Sequence, residues 1–189
     1  PSLTAQSGPP LPSSPICAYT SWMHVIIGCG NLYRKDDGIG VVVAHRLQSY
    51  FSKHPQSNLQ IVEAGTNGID VLLQAHGAGK LTLIDACCSG SEPGTLFQLS
   101  GPDLMNQPPP NFNPHNFRWD HAVHAGRIIF QDAFPQDITV FLIEVLDTTF
   151  GENLSPGVAA SVEKTCAMII SFIHESSRPP LPTQQSPTL

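Results

Sequence analysis

Basic residues are scarce in this 189-residue chain. Nine Lys and Arg stand against fifteen Asp and Glu, giving a formal net charge of −6, and only 13% of positions carry any of these charges. Binding along phosphate backbones relies on clustered Lys and Arg, so nucleic acid is excluded as the expected partner. No apolar run approaches the roughly 20 residues that cross a bilayer, so no membrane association is expected. Cysteines are few and unpaired in pattern: Cys17, Cys29, Cys87, Cys88 and Cys166 are odd in number and show no CxxC spacing. A secreted disulfide framework or a zinc knuckle would show paired, spaced cysteines, so a reducing, cytoplasmic setting is expected. The first twenty residues contain no Lys or Arg, and the basic start of a secretory signal is therefore missing. No internal repeat is visible.

What is present suits one globular unit. Apolar residues make up 41% of the chain, and a chain of about 150 residues buries roughly 70% of its unfolded surface. Proline marks the limits: five of eighteen fall within residues 1 to 15 and four within 179 to 187, among Ser, Thr and Gln. Such segments lack donors and offer little to bury. The sequence thus predicts a flexible Pro/Ser-rich tail over 1–20, a single domain over 21–175 and a flexible Pro-rich tail over 176–189.

Inside the domain, strand and helix patterns alternate. His24 to Gly28 is a short apolar run stopped by glycines, and apolar positions 39, 42, 43, 47, 50 and 51 form one helical face. Leu59 to Ala64 reads as a second strand, Ile69 to His76 as a helix, Lys80 to Ala86 as a third strand and Thr95 to Leu99 as a fourth. A Pro/Asn-rich loop follows over Gly101 to Asn116, then a helix over Trp119 to Phe130 and a continuously apolar strand over Ile138 to Val145. The last helix opens with Ser155 as N-cap and Pro156 at its first position. This alternation predicts an α/β three-layer sandwich, a mostly parallel five-stranded twisted sheet with helices on both faces. In such sheets ligands bind outside the carboxyl ends of the strands.

Chemistry-bearing residues cluster at those ends. The first strand runs into GCGNLYRKDDGIG. The third glycine of a dinucleotide loop would fall at Tyr33, whose side chain would crowd a pyrophosphate, so no cofactor-binding loop is expected. What remains is an acidic pair, Asp36 and Asp37, at a helix start. One carboxylate suffices to cap a helix, and a pair repels unless a cation or partner is near; the residues alone leave cap and functional site open. Asp85 ends an apolar strand, where a carboxylate is costly unless paired, hydrogen-bonded or metal-bound. Cys87 and Cys88 read as buried small hydrophobes rather than soft metal ligands. His121 and His124 stand one turn apart on a helix where a structural role is the commoner one, and Asp120 can orient an imidazole or cap that helix. Glu144, inside an apolar strand, could pair with Arg127 or line the same crevice. Two carboxylates, Asp37 and Asp85, and the imidazole of His121 suit a borderline divalent cation, but spacing does not show that they converge.

The segment GCGNLYRKDDGIGV, with IVEAGTNGIDVL, LTLIDA, DHAVHAGRI and GENLSPGV, closely resembles the nickel-iron hydrogenase maturation endopeptidases over nearly all of 24 to 174. The resemblance implies a peptide hydrolase that removes a C-terminal extension from the hydrogenase large-subunit precursor after nickel insertion. It implies a metal site of Asp37, Asp85 and His121, with His124 as the alternative to His121, and Asp37 and Asp85 as catalytic residues. Cys29 stands in a slot that usually holds an apolar residue and is expected to pack inward. No permanent cofactor is implied; the nickel arrives on the precursor. A monomer is expected. Two rivals remain: a noncatalytic precursor-binding chaperone of the same fold, and a receiver-like phospho-signalling module. The latter needs a Lys near the end of the fifth strand, where Glu144-Val145-Leu146-Asp147 stands instead.

Overall fold

The structure, a computed structural model, describes residues 23–105 and 117–176. The predicted tail 1–20 and all but the first residue of the tail 176–189 lie outside the described residues, as does most of the predicted 101–116 loop. The elements in chain order are β1 (His24–Cys29), α1 (Ile39–Lys53), β2 (Leu59–Gly65), α2 (Gly68–Ala75), β3 (Lys80–Cys87), β4 (Leu96–Ser100), α3 (Gly101–Met105), α4 (Trp119–Ile129), β5 (Asp137–Glu144) and α5 (Pro156–Ser176). Residues 101–105, expected as loop, are helical, with Asp103 accepting from the Ser100 N–H and hydroxyl at the helix start.

The sheet order is β2-β1-β3-β5-β4. All neighbours pair in parallel except β4, which lies antiparallel on β5 at the edge. Side-chain alternation along the strands divides the core into two layers. Ile26, Ile84, Phe141 and Ile143 pack with Ile39, Val43 and Leu47 of α1 and Val158, Val162, Cys166 and Ile169 of α5. Val25, Ile27, Leu81, Leu83, Ile138 and Val140 pack on the other face with Val71 and Ala75 of α2 and Ala122 and Val123 of α4. This is the three-layer sandwich read from the alternating pattern.

The last helix departs from the sequence reading in two respects. Its segment Pro156–Glu175 is 20 residues long with mean hydropathy 1.3, long and apolar enough to cross a membrane by length and composition. Glu163 and Lys164 interrupt its apolar run, which is why no such stretch stands out in the sequence. Here Val158, Val162, Cys166, Ile169 and Ile173 are buried against α1 and the sheet, as a core helix requires. The helix starts where predicted, with the Ala159 N–H donating to the Ser155 carbonyl, but the Ser155 hydroxyl donates to Asp36 across the molecule.

The order β2-β1-β3 means that the chain leaves β1 to one side and later returns to pair on its other side. The switch point therefore lies between the carboxyl ends of β1 and β3, where crossover loops diverge and leave a crevice. Asp85 follows Leu81 and Leu83 on the α2/α4 face of β3, and Cys29 ends β1 on that same face.

Candidate active site

At this switch point lies a cavity of about 480 Å³, lined among others by Cys29, Asn31, Arg34, Asp37, Asn67, Asp85, Phe117, Arg118 and Thr148. Its size falls in the usual range for ligand sites, about 300 to 1,000 Å³.

The acidic pair divides its work. Asp36 is fully buried and accepts from the N–H groups of Leu146, Asp147 and Ser155 and from the Ser155 hydroxyl. Burial alone would raise its carboxyl, but the Ser155, Asp147 and Leu146 donors outweigh that and hold it below the usual carboxylate range. Further bonds join the same two loops: the Lys35 N–H donates to the Gly151 carbonyl (2.8 Å), the Arg34 Nε to the Thr148 carbonyl (3.0 Å), and the Lys35 ammonium meets Asp147. Asp36 thus ties the β1–α1 loop to the β5–α5 loop. Asp37 is half-buried on the cavity wall and accepts from the Asn31 N–H at 3.0 Å. Gly30 makes this turn possible: its φ is +121°, and a Cβ there would lie 1.8 Å from the Asp37 carbonyl oxygen.

Asp85 is buried, with 4% exposure, on the cavity floor. Its Oδ1 accepts from the Ala86 N–H (2.9 Å) and its Oδ2 from Arg118 Nη2 (2.9 Å). Burial pushes its carboxyl above the usual range; Arg118 and the Ala86 N–H oppose the shift, and the charge of Asp37 adds to it. Burial alone would lower the Arg118 guanidinium, and Asp85, Asp120 and Asp37 reverse that. Nothing in the sequence pattern singled out Arg118. Its signal is only that it is the cation immediately before a helix carrying the candidate imidazole.

The structure brings Asp37 and Asp85 to one cavity and leaves His121 beside it. His121 is buried in the first turn of α4, its ring 5.8 Å from that of Phe117, which does line the cavity. Its Nδ1 lies 3.1 Å from Asp120 Oδ1 and 3.4 Å from the Arg118 N–H. Among the described residues, no three His, Cys, Asp or Glu side chains stand close enough to hold a metal ion. His124 is half-buried one turn further along α4 and does not line the cavity either.

Three other expectations resolve here. Glu144 pairs with neither Arg127 nor the crevice. It accepts from the Ser89 N–H and hydroxyl and the Gly90 N–H, and these bonds, the Ser89 hydroxyl first, pull its carboxyl down to about 2. A carboxylate inside an apolar strand signals a costly group but not its partner. Cys88 is exposed and Cys87 half-buried, so neither is a core hydrophobe; Cys87 ends β3, and Cys88 lies on the turn that leaves it for solvent. Cys29 packs inward as expected, and burial pushes its thiol upward, helped by Asp85.

Comparison with known proteins places this architecture. The HycI hydrogenase maturation protease profile matches residues 41–172, and a putative hydrogenase maturation protease of Methanocaldococcus jannaschii is 31% identical over 152 residues, covering 79% of this chain and 92% of that protein. The chain belongs to the hydrogenase maturation protease family. It is a peptide hydrolase of hydrogenase maturation. The coenzyme F420 hydrogenase subunit delta of Methanothermobacter thermautotrophicus is 26% identical over 160 residues, covering 80% of this chain and 95% of that one. The hydrogenase maturating endopeptidase HybD from E. coli shares the fold, with a TM-score of 0.67 at 22% identity over 82% of this chain and 94% of that one. The glycine-rich turn and acidic pair after β1 therefore belong to a protease fold rather than to a nucleotide loop or a receiver module.

Proposed function

We propose that this hydrogenase maturation protease removes the C-terminal extension of the nickel-iron hydrogenase large-subunit precursor after nickel insertion, with the nickel held by the precursor as its recognition element. The observation that carries this reading is the pairing of Asp37 and Asp85 on one cavity at the β1/β3 switch point, with a cationic group, Arg118, already bonded to Asp85. Two facing carboxylates in a partly desolvated site favour an added cation, and a metal on the docked precursor offsets their charge. His121, buried beside the cavity and not on its wall, is the third group the resemblance implies, and it would have to turn toward the cavity to meet a metal on the docked precursor. Asp120 Oδ1 lies 3.1 Å from its Nδ1 and helps to orient the ring.

Hydrolysis then needs a base and a polarised carbonyl. Asp37, half-buried on the wall, takes a proton from a water whose oxygen bonds to the scissile carbonyl carbon. The C–N bond breaks, and that proton passes to the departing amine nitrogen. Asp85, tied to Ala86 and Arg118, keeps its orientation and supplies negative charge to the substrate's metal. No cofactor resides permanently on the enzyme. It acts as a cytoplasmic monomer away from the membrane; the apolar face of α5 is buried within the domain and is not offered to a bilayer.

The test is to incubate the protein with nickel-loaded and nickel-free precursor and follow the precursor's mass. Loss of a C-terminal peptide from the loaded form alone is expected, and Asp37→Asn and Asp85→Asn should each slow it ~100-fold or more. His121→Ala should do the same while His124→Ala should not. Binding of the loaded precursor with no mass change would make the protein a chaperone instead.

A further inference from the structure

We propose that Arg118 is an internal counter-ion that occupies the cation position beside Asp85, keeps free divalent metal out of the site, and yields only to a cation delivered on a docked polypeptide. This rests on the reading above that a substrate cation meets Asp37 and Asp85.

The contact joins a buried acid to a half-exposed base. Arg118 Nη2 lies 2.9 Å from Asp85 Oδ2, with side-chain exposures of 51% and 6% respectively. Half in solvent, the guanidinium can swing out without being stranded in an apolar interior, whereas Asp85 cannot leave β3. The base is the exchangeable partner.

Its backbone, in contrast, is held in place. Arg118 is the N-cap residue of α4, in extended conformation. The segment before it lies directly on the start of α2, where the Gly68 N–H donates to the Phe117 carbonyl at 2.8 Å. A Cβ at position 68 would lie 2.4 Å from the Arg118 carbonyl oxygen and 2.6 Å from the Phe117 ring, so only glycine permits this approach. The backbone that carries the guanidinium is thus fixed at the cavity, which Arg118 lines.

The consequence is selectivity. Free metal must displace Arg118 and shed water for two carboxylates, since no third His, Cys, Asp or Glu ligand stands ready among the described residues. A metal that arrives with other ligands on a docked chain has the binding energy of that chain to drive the exchange. Arg118 is a positioning and gating residue and not a catalytic one.

The experiment is calorimetric titration of Ni²⁺ alone into the wild-type chain, Arg118→Gln, Arg118→Lys and the double variant Arg118→Gln/Asp85→Asn, with thermal unfolding to establish that each is folded. Arg118→Gln should bind Ni²⁺ at least ~10-fold more tightly than wild type, the change expected when one competing charge is removed. Arg118→Lys should stay near wild type, and the double variant should lose the gain. Should Arg118→Gln gain nothing, or should its gain survive loss of the Asp85 carboxylate, the gate does not exist. Precursor cleavage is measured separately. Wild-type cleavage that ignores nickel overturns the functional reading even where the Ni²⁺ titrations behave as stated; nickel-dependent cleavage with no gain in Arg118→Gln overturns the gate alone.

Discussion

Asp36 and Asp37 are adjacent in the chain, yet their carboxylates serve different parts of the molecule: Asp36 is sealed against the N–H groups of Leu146, Asp147 and Ser155, and Asp37 faces the cavity that holds Asp85. The first ties together the two loops beside the site, and the second lines its cavity. Substitutions at these two positions should therefore fail in different ways.

Asp36→Asn replaces one of the two oxygens that together accept from three N–H groups and one hydroxyl by an amide NH2 in a buried setting, and should destabilise the fold by roughly 2–3 kcal/mol at pH 7. Because the folded Asp36 carboxyl is held below its ordinary value, its contribution is present above the unfolded value and is lost as pH falls through the lower, folded one. Urea denaturation of the pair at pH 7 and near pH 3 checks this. A gap that stays constant between the two would contradict the assignment.

Asp85→Asn should do the reverse for stability. Burial raises the Asp85 carboxyl, so keeping it ionised at neutral pH costs the folded state. The substitution should be neutral or stabilise by about 1 kcal/mol while slowing cleavage, the usual compromise at a working site. The sign with pH follows: wild type gains on the Asn variant as pH drops through the raised value, the opposite of Asp36. Equilibrium unfolding across pH 4 to 8 reads it directly.

Glu144→Gln should loosen the Cys87–Gly90 turn without touching the cavity, since Glu144 is bonded to Ser89 and Gly90 and lies outside the lining. Its carboxyl, drawn down to about 2 by those donors, stabilises above its unfolded value and ceases to do so as pH falls towards 2. Faster amide exchange of Ser89 and Gly90 at pH 7, with nickel-dependent cleavage kept within about twofold per folded molecule, is the expected result; it should shrink at the acid end.

Gly68→Ala should push Phe117 and Arg118 off the start of α2, because backbone at 2.4 Å cannot be met by a rotamer change. A loss of stability of about 1–3 kcal/mol is expected, together with slower cleavage of nickel-loaded precursor. Cleavage at the wild-type rate in a folded Gly68→Ala protein would show that the placement of Arg118 and α4 does not matter.

The alternation of strands and helices, the three layers and the strand-end address of Asp37 and Asp85 could all be read from residue order, because period-two and period-3.6 apolar patterns are local properties that each segment carries alone. The family could be read too, since its glycine-acid turn is contiguous. What no pattern contained was the partner of each charged group. Ser155 capped a helix on paper and proved to serve Asp36, 119 positions away; Glu144 met the turn after β3 rather than Arg127; and Arg118 reached Asp85 across 33 residues. Pairings of this kind depend on which loops the sheet order lays side by side and on how far a buried charge must travel to find a donor, and both are decided only when the chain closes on itself.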